Sequence, residues 1–128
     1  MKSIFKPGDQ KFYKKVVDET DLASFHHELV HPVCSTFALA RDFEWTSRLF
    51  ALEMKEDHEE GVGTFLSIEH KGPAFVGEEI TFAAKIIKIH GQDLTCSLAA
   101  FVNDRKIAEG TTGQRFMRKE RLKEIFNR

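Results

Sequence analysis

The run Phe37-Ala-Leu-Ala-Arg-Asp-Phe-Glu-Trp-Thr-Ser-Arg-Leu-Phe-Ala-Leu-Glu-Met54 decides the fold. Leu39, Phe43, Phe50 and Met54 recur at helical spacing, and Trp45 and Leu49 widen the stripe. No proline or glycine interrupts the run, and Ser35 or Thr36 stands where an N-cap belongs. The pattern predicts one long helix. Its second side, made of Ala40, Glu44, Ser47 and Ala51, is small or polar and invites close approach by another surface. Gly61-Val-Gly63 reads as the end of the helical part.

Downstream, the chain reads as strands. Phe65, Ser67 and Glu69 alternate against Thr64, Leu66, Ile68 and His70, which puts His70 on the covered face with Leu66 and Ile68. Lys71-Gly-Pro73 stops that strand. Ile80 to Ile89 is rich in β-branched residues, and a turn at His90-Gly-Gln-Asp93 joins it to the alternating run Leu94 to Val102. After Asn103-Asp104, Lys106 to Met117 reads as the last strand, and Glu120 to Phe126 as a short basic helix or frayed tail. Upstream, Gln10 to Val17 predicts a first strand, broken by the turn-formers Asp18 to Asp21. A long apolar helix beside a strand meander predicts an α+β domain, with the helix packed on a sheet that wraps around it.

A chain of 128 residues fits one domain with one core, and 41% hydrophobic with 30% charged residues is an ordinary globular balance. Nineteen basic residues against twenty acidic ones leave a net charge of -1, which argues against a nucleic-acid partner. No apolar run is long enough for a signal-peptide core or a membrane span, so a cytoplasmic protein without a membrane partner is expected. Cys34 and Cys96 are too far apart for a metal knuckle or redox pair and read as reduced thiols.

His27-Glu-Leu-Val-His31 matches the zinc-hydrolase pattern of two histidines one helical turn apart with a glutamate base. Pro32 follows at once, pushing His31 out of helical geometry, and the extended motif fails at Cys34 and Phe37. The His26–His31 segment therefore reads as a polar loop, a flap near a pocket, and no metal is expected.

Three single residues invite chemistry. Glu44, between Phe43 and Trp45, is expected in the least exposed part of the helix, where an ionised carboxylate needs a reason; a surface pair with Arg41 or Arg48 is the plainer alternative. His70, on an inward strand face, reads as a satisfied core histidine or a proton carrier. Thr36 reads as a helix cap, or as a nucleophile if a base lies nearby.

Together these residues carry a resemblance. The runs Cys34-Ser-Thr-Phe-Ala-Leu-Ala-Arg-Asp-Phe-Glu-Trp45 and Gly63-Thr-Phe-Leu-Ser-Ile-Glu-His-Lys-Gly-Pro73 resemble the fluoroacetyl-CoA thioesterase group of the hot-dog superfamily. In that group a threonine opens the central helix, a glutamate before tryptophan lies eight residues on, and a histidine follows twenty-six residues later. Here those positions are Thr36, Glu44 and His70, and the likeness extends over roughly residues 30 to 118.

The resemblance implies a hot-dog fold, an antiparallel sheet wrapped around one long central helix, as a single domain over residues 1–128. It implies hydrolysis of an acyl-CoA thioester, with no metal or organic cofactor, in a homodimer or higher homo-oligomer. Thr36 would be the nucleophile or orient the attack, Glu44 the base or a carboxylate nucleophile, and His70 the proton carrier for the leaving thiolate. Phe37, Gly63 and Gly72 would contact substrate. A non-catalytic hot-dog module that only binds acyl-CoA is the alternative.

The chain departs from the group in its last strand. Gly110-Thr-Thr-Gly-Gln-Arg115 stands where the group commonly has Gly-Thr-His-x-Arg, so Thr112 takes the histidine position and Gln114 the arginine position. Arg115, one residue out of step, is expected to face the opposite way. The implied substrate is accordingly a short-chain acyl-CoA in general. The cluster Arg118, Lys119, Arg121 and Lys123 reads as a solvated basic tail, with CoA phosphates as the other possibility. Cys34 reads as a small buried apolar residue rather than a nucleophile.

Overall fold

A computed structural model describes residues 1–127. The elements run β1 (Gln10–Val16), a 3-10 turn (Glu19–Asp21), β2 (Leu22–Phe25), β3 (Glu28–Cys34), α1 (Thr36–Met54), β4 (Glu59–His70), β5 (Glu79–His90), β6 (Asp93–Val102), β7 (Arg105–Arg118) and α2 (Lys119–Phe126). Five strands form an antiparallel sheet in the order β1-β5-β6-β7-β4, and β2 and β3 form a separate two-stranded ribbon.

The long helix forms where its periodicity puts it. Ser35, not Thr36, is the N-cap: its side chain accepts the Ala38 N–H at 3.0 Å. That leaves Thr36 as the first helical residue, with its hydroxyl free for other work. Leu39, Phe43, Phe50 and Met54 are buried against the concave side of the sheet. Phe43 meets Phe82 of β5 edge-to-face at 5.3 Å, and Phe5 of the N-terminal segment closes over Phe50 at 5.1 Å. On β6, Leu94, Cys96, Leu98, Ala100 and Val102 all point inward, supplying the sheet's share of the core. The result is the expected α+β architecture, an antiparallel sheet curled around one helix.

Two expectations are corrected. Gly61 and Gly63 do not close the helical part; α1 ends at Met54 and β4 is already running at Glu59. The glycines are strand residues that let β4 press against the helix. A Cβ on Gly61 would lie 3.1 Å from Ala51 Cβ, and one on Gly63 would lie 2.6 Å from Glu44 Oε1. Thus part of the small side of α1, Ser47 and Ala51, is covered by the chain's own β4 and β7.

The His26–His31 segment is not a loop but the turn and second strand of a β-hairpin. His26 and His27 form its two-residue turn, both left-handed at φ 52° and 66°, and Phe25 pairs with Glu28. Pro32 sits in β3, whose partner lies on one side only, the position where a missing N–H is tolerated. His31 is opposite Ala23 on this ribbon, so the H-E-x-x-H residues never share a helical face. Among the described residues, no group of three or more His, Cys, Asp or Glu side chains gathers to hold a metal. No helix among them is long and apolar enough to cross a membrane.

The last strand places its residues as the period of two requires. Thr112, Gln114 and Phe116 face inward and are buried, and Gln114 donates to Ser47 Oγ on α1 at 2.9 Å. Arg115 faces the other way and pairs with Asp93 at 2.8 Å.

Candidate active site

Thr36 and His70 meet although thirty-four residues separate them. Thr36 opens α1, and His70 ends the inward face of β4 with Leu66 and Ile68 half-buried behind it. The Thr36 hydroxyl lies 2.9 Å from His70 Nδ1, and His70 Nε2 lies 2.8 Å from the Gly72 carbonyl. A carbonyl oxygen only accepts, so Nε2 carries the ring proton. In the neutral ring Nδ1 is then bare and accepts from the Thr36 hydroxyl. A hydroxyl aimed at an unprotonated imidazole nitrogen is the arrangement of a nucleophile beside its base.

The helix end adds polarity to this pair. Because Ser35 takes the Ala38 N–H, the N–H groups of Thr36 and Phe37 remain at the open first turn, where the helix dipole is positive.

Glu44 does not join them. It is exposed, not buried as its aromatic neighbours suggest, and eight residues of helix set it about 12 Å along the axis from Thr36. Its carboxylate lies in the notch left by the missing side chain of Gly63 and has no hydrogen-bond partner among the described residues. The misreading has a physical source. Phe37, Glu44, Trp45 and Leu52 recur on one side of α1 that looks interior in the sequence but is bare in the structure, where Phe37 is 77% and Trp45 41% exposed. The plainer alternative does not hold either, since Arg41 pairs with Asp21 and Asp42, and Arg48 with Glu60.

The β2–β3 hairpin stands over the start of α1. Between them lies a cavity of about 530 Å³, bordered by Ser35 and Phe37, the two chain neighbours of Thr36, with Leu22, Phe25 and Ala38 as apolar lining. The hairpin's base is fixed by a charge cluster that the sequence did not advertise. Asp21 is 1% exposed and accepts from Lys15 at 2.7 Å and Arg41 at 2.9 Å, while its backbone carbonyl takes the Ser35 N–H at 2.7 Å. Burial alone would raise the Asp21 carboxyl. Lys15, Arg41 and the Asp18 N–H outweigh it and hold the group below its ordinary value of 3.8. Cys34, nearby and buried, is pushed up to about 11 by desolvation and the Asp21 and Asp42 charges, so it is a neutral thiol at physiological pH.

The other residues expected to touch substrate take separate places. Phe37 projects into solvent at the cavity rim, Gly63 makes room for Glu44, and Gly72 contributes the carbonyl that holds His70. Of the basic cluster, Arg118 ends β7 while Lys119, Arg121 and Lys123 lie on α2, where Arg121 pairs with Glu124 at 3.0 Å.

Comparison with known proteins bears on this arrangement. The model of the family described as fluoroacetyl-CoA-specific thioesterase matches residues 17–120. No curated protein matches the chain. Among solved structures, a Thermus thermophilus hypothetical protein described as a thioesterase superfamily member superposes with a TM-score of 0.91 at 24% identity, over 95% of this chain and 90% of its own. A hot-dog-like protein from Thermanaerovibrio acidaminovorans gives 0.86 at 18%, over 95% and 90%. A phenylalanine-to-alanine mutant of the fluoroacetyl-CoA-specific thioesterase, in complex with fluoroacetate and CoA, gives 0.80 at 19%, over 92% and 99%. These likenesses establish the hot-dog fold.

Proposed function

Because the chain belongs to the fluoroacetyl-CoA-specific thioesterase family, we propose that it hydrolyses a short-chain acyl-CoA to the free acid and CoA, using Thr36, His70 and Glu44. Membership carries thioesterase activity with it. The observation behind the proposed chemistry is the 2.9 Å contact between Thr36 Oγ1 and His70 Nδ1.

The acyl group enters beside the helix start, toward the cavity under the hairpin. His70 Nδ1 takes the Thr36 proton as Oγ1 bonds to the thioester carbon, and the N–H groups at the first turn of α1 receive the oxyanion. The C–S bond breaks, and the imidazolium returns its proton to the CoA thiolate. Glu44 takes a proton from water as the water oxygen bonds to the acyl carbon; the acyl–Oγ1 bond then breaks, and the Glu44 carboxyl returns that proton to Thr36 Oγ1.

Within one copy Glu44 is two helical turns from Thr36, so the proposed site takes its Glu44 from a second copy. Two features support a homodimer. β4 is an edge of the sheet with one side unpaired, and Phe37, Trp45, Leu52 and Phe65 leave apolar surface bare beside it. Partner-assisted sites of this kind explain an exposed carboxylate on a helix without a local ligand. The place of action is proposed as the cytoplasm, which suits two free cysteines, Cys34 and Cys96.

Short acyl-CoAs assayed by free-thiol release test the reading. Hydrolysis that disappears in Thr36→Ala and His70→Ala supports it; no hydrolysis of any acyl-CoA by the native protein rejects it. The departure at Gln114 favours one rival, a module that binds acyl-CoA without cleaving it. Mass spectrometry after incubation separates the two, because a binder returns intact thioester.

A further inference from the structure

His70 is gripped at both ring nitrogens, and the two grips differ in kind. Thr36 has a hydroxyl that can donate or accept, whereas the Gly72 carbonyl at 2.8 Å can only accept. The carbonyl is therefore the group that decides which nitrogen carries the proton. In a serine-histidine-aspartate triad a carboxylate performs this task; here it falls to a neutral backbone oxygen two residues along the chain.

That oxygen is itself held in place. The N–H groups of Lys71 and Gly72 both donate to the Ile107 carbonyl, at 2.7 and 3.1 Å, anchoring one side of the turn to β7. On the other side Arg105 donates from its guanidinium to the Pro73 carbonyl at 2.7 Å. The same guanidinium reaches the Glu78 carboxylate at 3.3 Å, and Glu78 accepts the Phe75 N–H at 2.8 Å. Arg105 thus clips the peptide next to the one that faces His70. It stands at the start of β7, touches neither Thr36 nor His70, and spans thirty-two residues to reach Pro73.

We infer that Arg105 is a positioning residue for the hydrolysis: by holding the Pro73 carbonyl it keeps the Gly72 carbonyl aimed at His70 Nε2, and so keeps Nδ1 bare as the base for Thr36. This rests on the Thr36–His70 chemistry proposed above. Without the clip the turn loosens, the Nε2 proton loses its fixed acceptor, and the ring samples the other tautomer. In that tautomer Nδ1 carries the proton and cannot accept from Thr36.

Protein labelled with 15N in histidine reads the tautomer directly, independently of activity. The native protein should show neutral His70 protonated at Nε2 alone. Arg105→Ala should introduce a measurable Nδ1-protonated share and lower kcat about tenfold with KM nearly unchanged, since the lost arrangement matters to the reacting groups. Arg105→Lys, which keeps one donor for the Pro73 carbonyl, should recover most of both. Lys106→Ala, a neighbouring charge paired with Glu109, is the control and should move neither.

A native His70 protonated at Nδ1 overturns the assignment of the carbonyl. An Arg105→Ala protein with native tautomer and native kcat overturns the role of Arg105, as does one that only melts earlier. If Arg105→Ala does not fold, Arg105→Gln carries its readings, with Arg105→Lys still the rescue. Should no acyl-CoA be hydrolysed at all, the proposed function fails while the spectra still decide the tautomer.

Discussion

The hydroxyl of Thr36 and Nδ1 of His70 are 2.9 Å apart, joined across the mouth between the start of α1 and the end of β4. Neither residue has an obvious structural need for the other, since Ser35 already caps the helix and Gly72 already satisfies the ring's donor. Removing either partner should therefore spare the fold and strike the chemistry. Thr36→Ala and His70→Ala are each expected to lower kcat by about 10²- to 10⁴-fold, with melting temperatures close to native. Thr36→Ser keeps the oxygen and should retain far more activity than Thr36→Ala. A free-thiol assay beside a thermal melt checks this; equal activity in all three would remove Thr36 and His70 from the mechanism.

Glu44 gives a prediction that reaches across copies. If each site joins Thr36 of one copy to Glu44 of another, the inactive variants Thr36→Ala and Glu44→Ala should rescue one another when mixed. Half of randomly exchanged dimers are mixed, and each mixed dimer holds one intact site, so about a quarter of native activity should return. Triads contained within single copies would give no recovery. Light scattering on the same samples reports whether dimers are present at all.

How much of this could be read from residues alone depends on which physical signal each feature leaves. The helix from Thr36 to Met54 and the strand Asp93 to Val102 are legible because burial on one face writes a clean period of 3.6 or 2. The β2–β3 hairpin is not. Its turn is built from His26 and His27 in left-handed conformation, where Asn-Gly would have announced it, and its second strand carries Pro32. Gly61 and Gly63 read as breakers because a close approach to Ala51 and Glu44 leaves the same letter in the sequence as a turn. The pairing of Thr36 with His70 is visible only through the family spacing, since nothing local marks two residues that a sheet brings together. Glu44 misled for the opposite reason. A helix side bare in one copy shows the same residues as one facing a core.

Gly63 yields a sharper test of Glu44 than replacing the carboxylate. A Cβ at this position would fall 2.6 Å from Glu44 Oε1, and the atom it meets is the free end of a flexible side chain. Gly63→Ala should thus displace the carboxylate at little cost to folding. The expected result is kcat lowered about tenfold with melting nearly native, and a Gly63→Ala/Glu44→Ala double variant no less active than Glu44→Ala alone. Additive losses in the double variant would mean that Gly63 serves the reaction by some route other than Glu44.

Acid sensitivity follows from Glu60 at the start of β4. Lys55 donates to its carboxylate at 3.0 Å and Arg48 at 2.9 Å, and the Gly61 N–H adds a third bond. Led by Lys55, and against some opposing burial, these partners pull the carboxyl from 4.5 down to about 2. A carboxyl lower in the folded than in the unfolded chain binds fewer protons when folded, so it stabilises the native state most above the unfolded value. That stability is whole above about pH 5 and drains as pH falls toward 2. Glu60→Gln should be less stable at pH 7, by about 1 kcal/mol or less given its partly solvated site. The gap should then close on acidification. Urea midpoints at intervals from pH 7 to pH 2 check the sign: converging curves are expected, and parallel ones would show that Glu60 carries no part of the acid response.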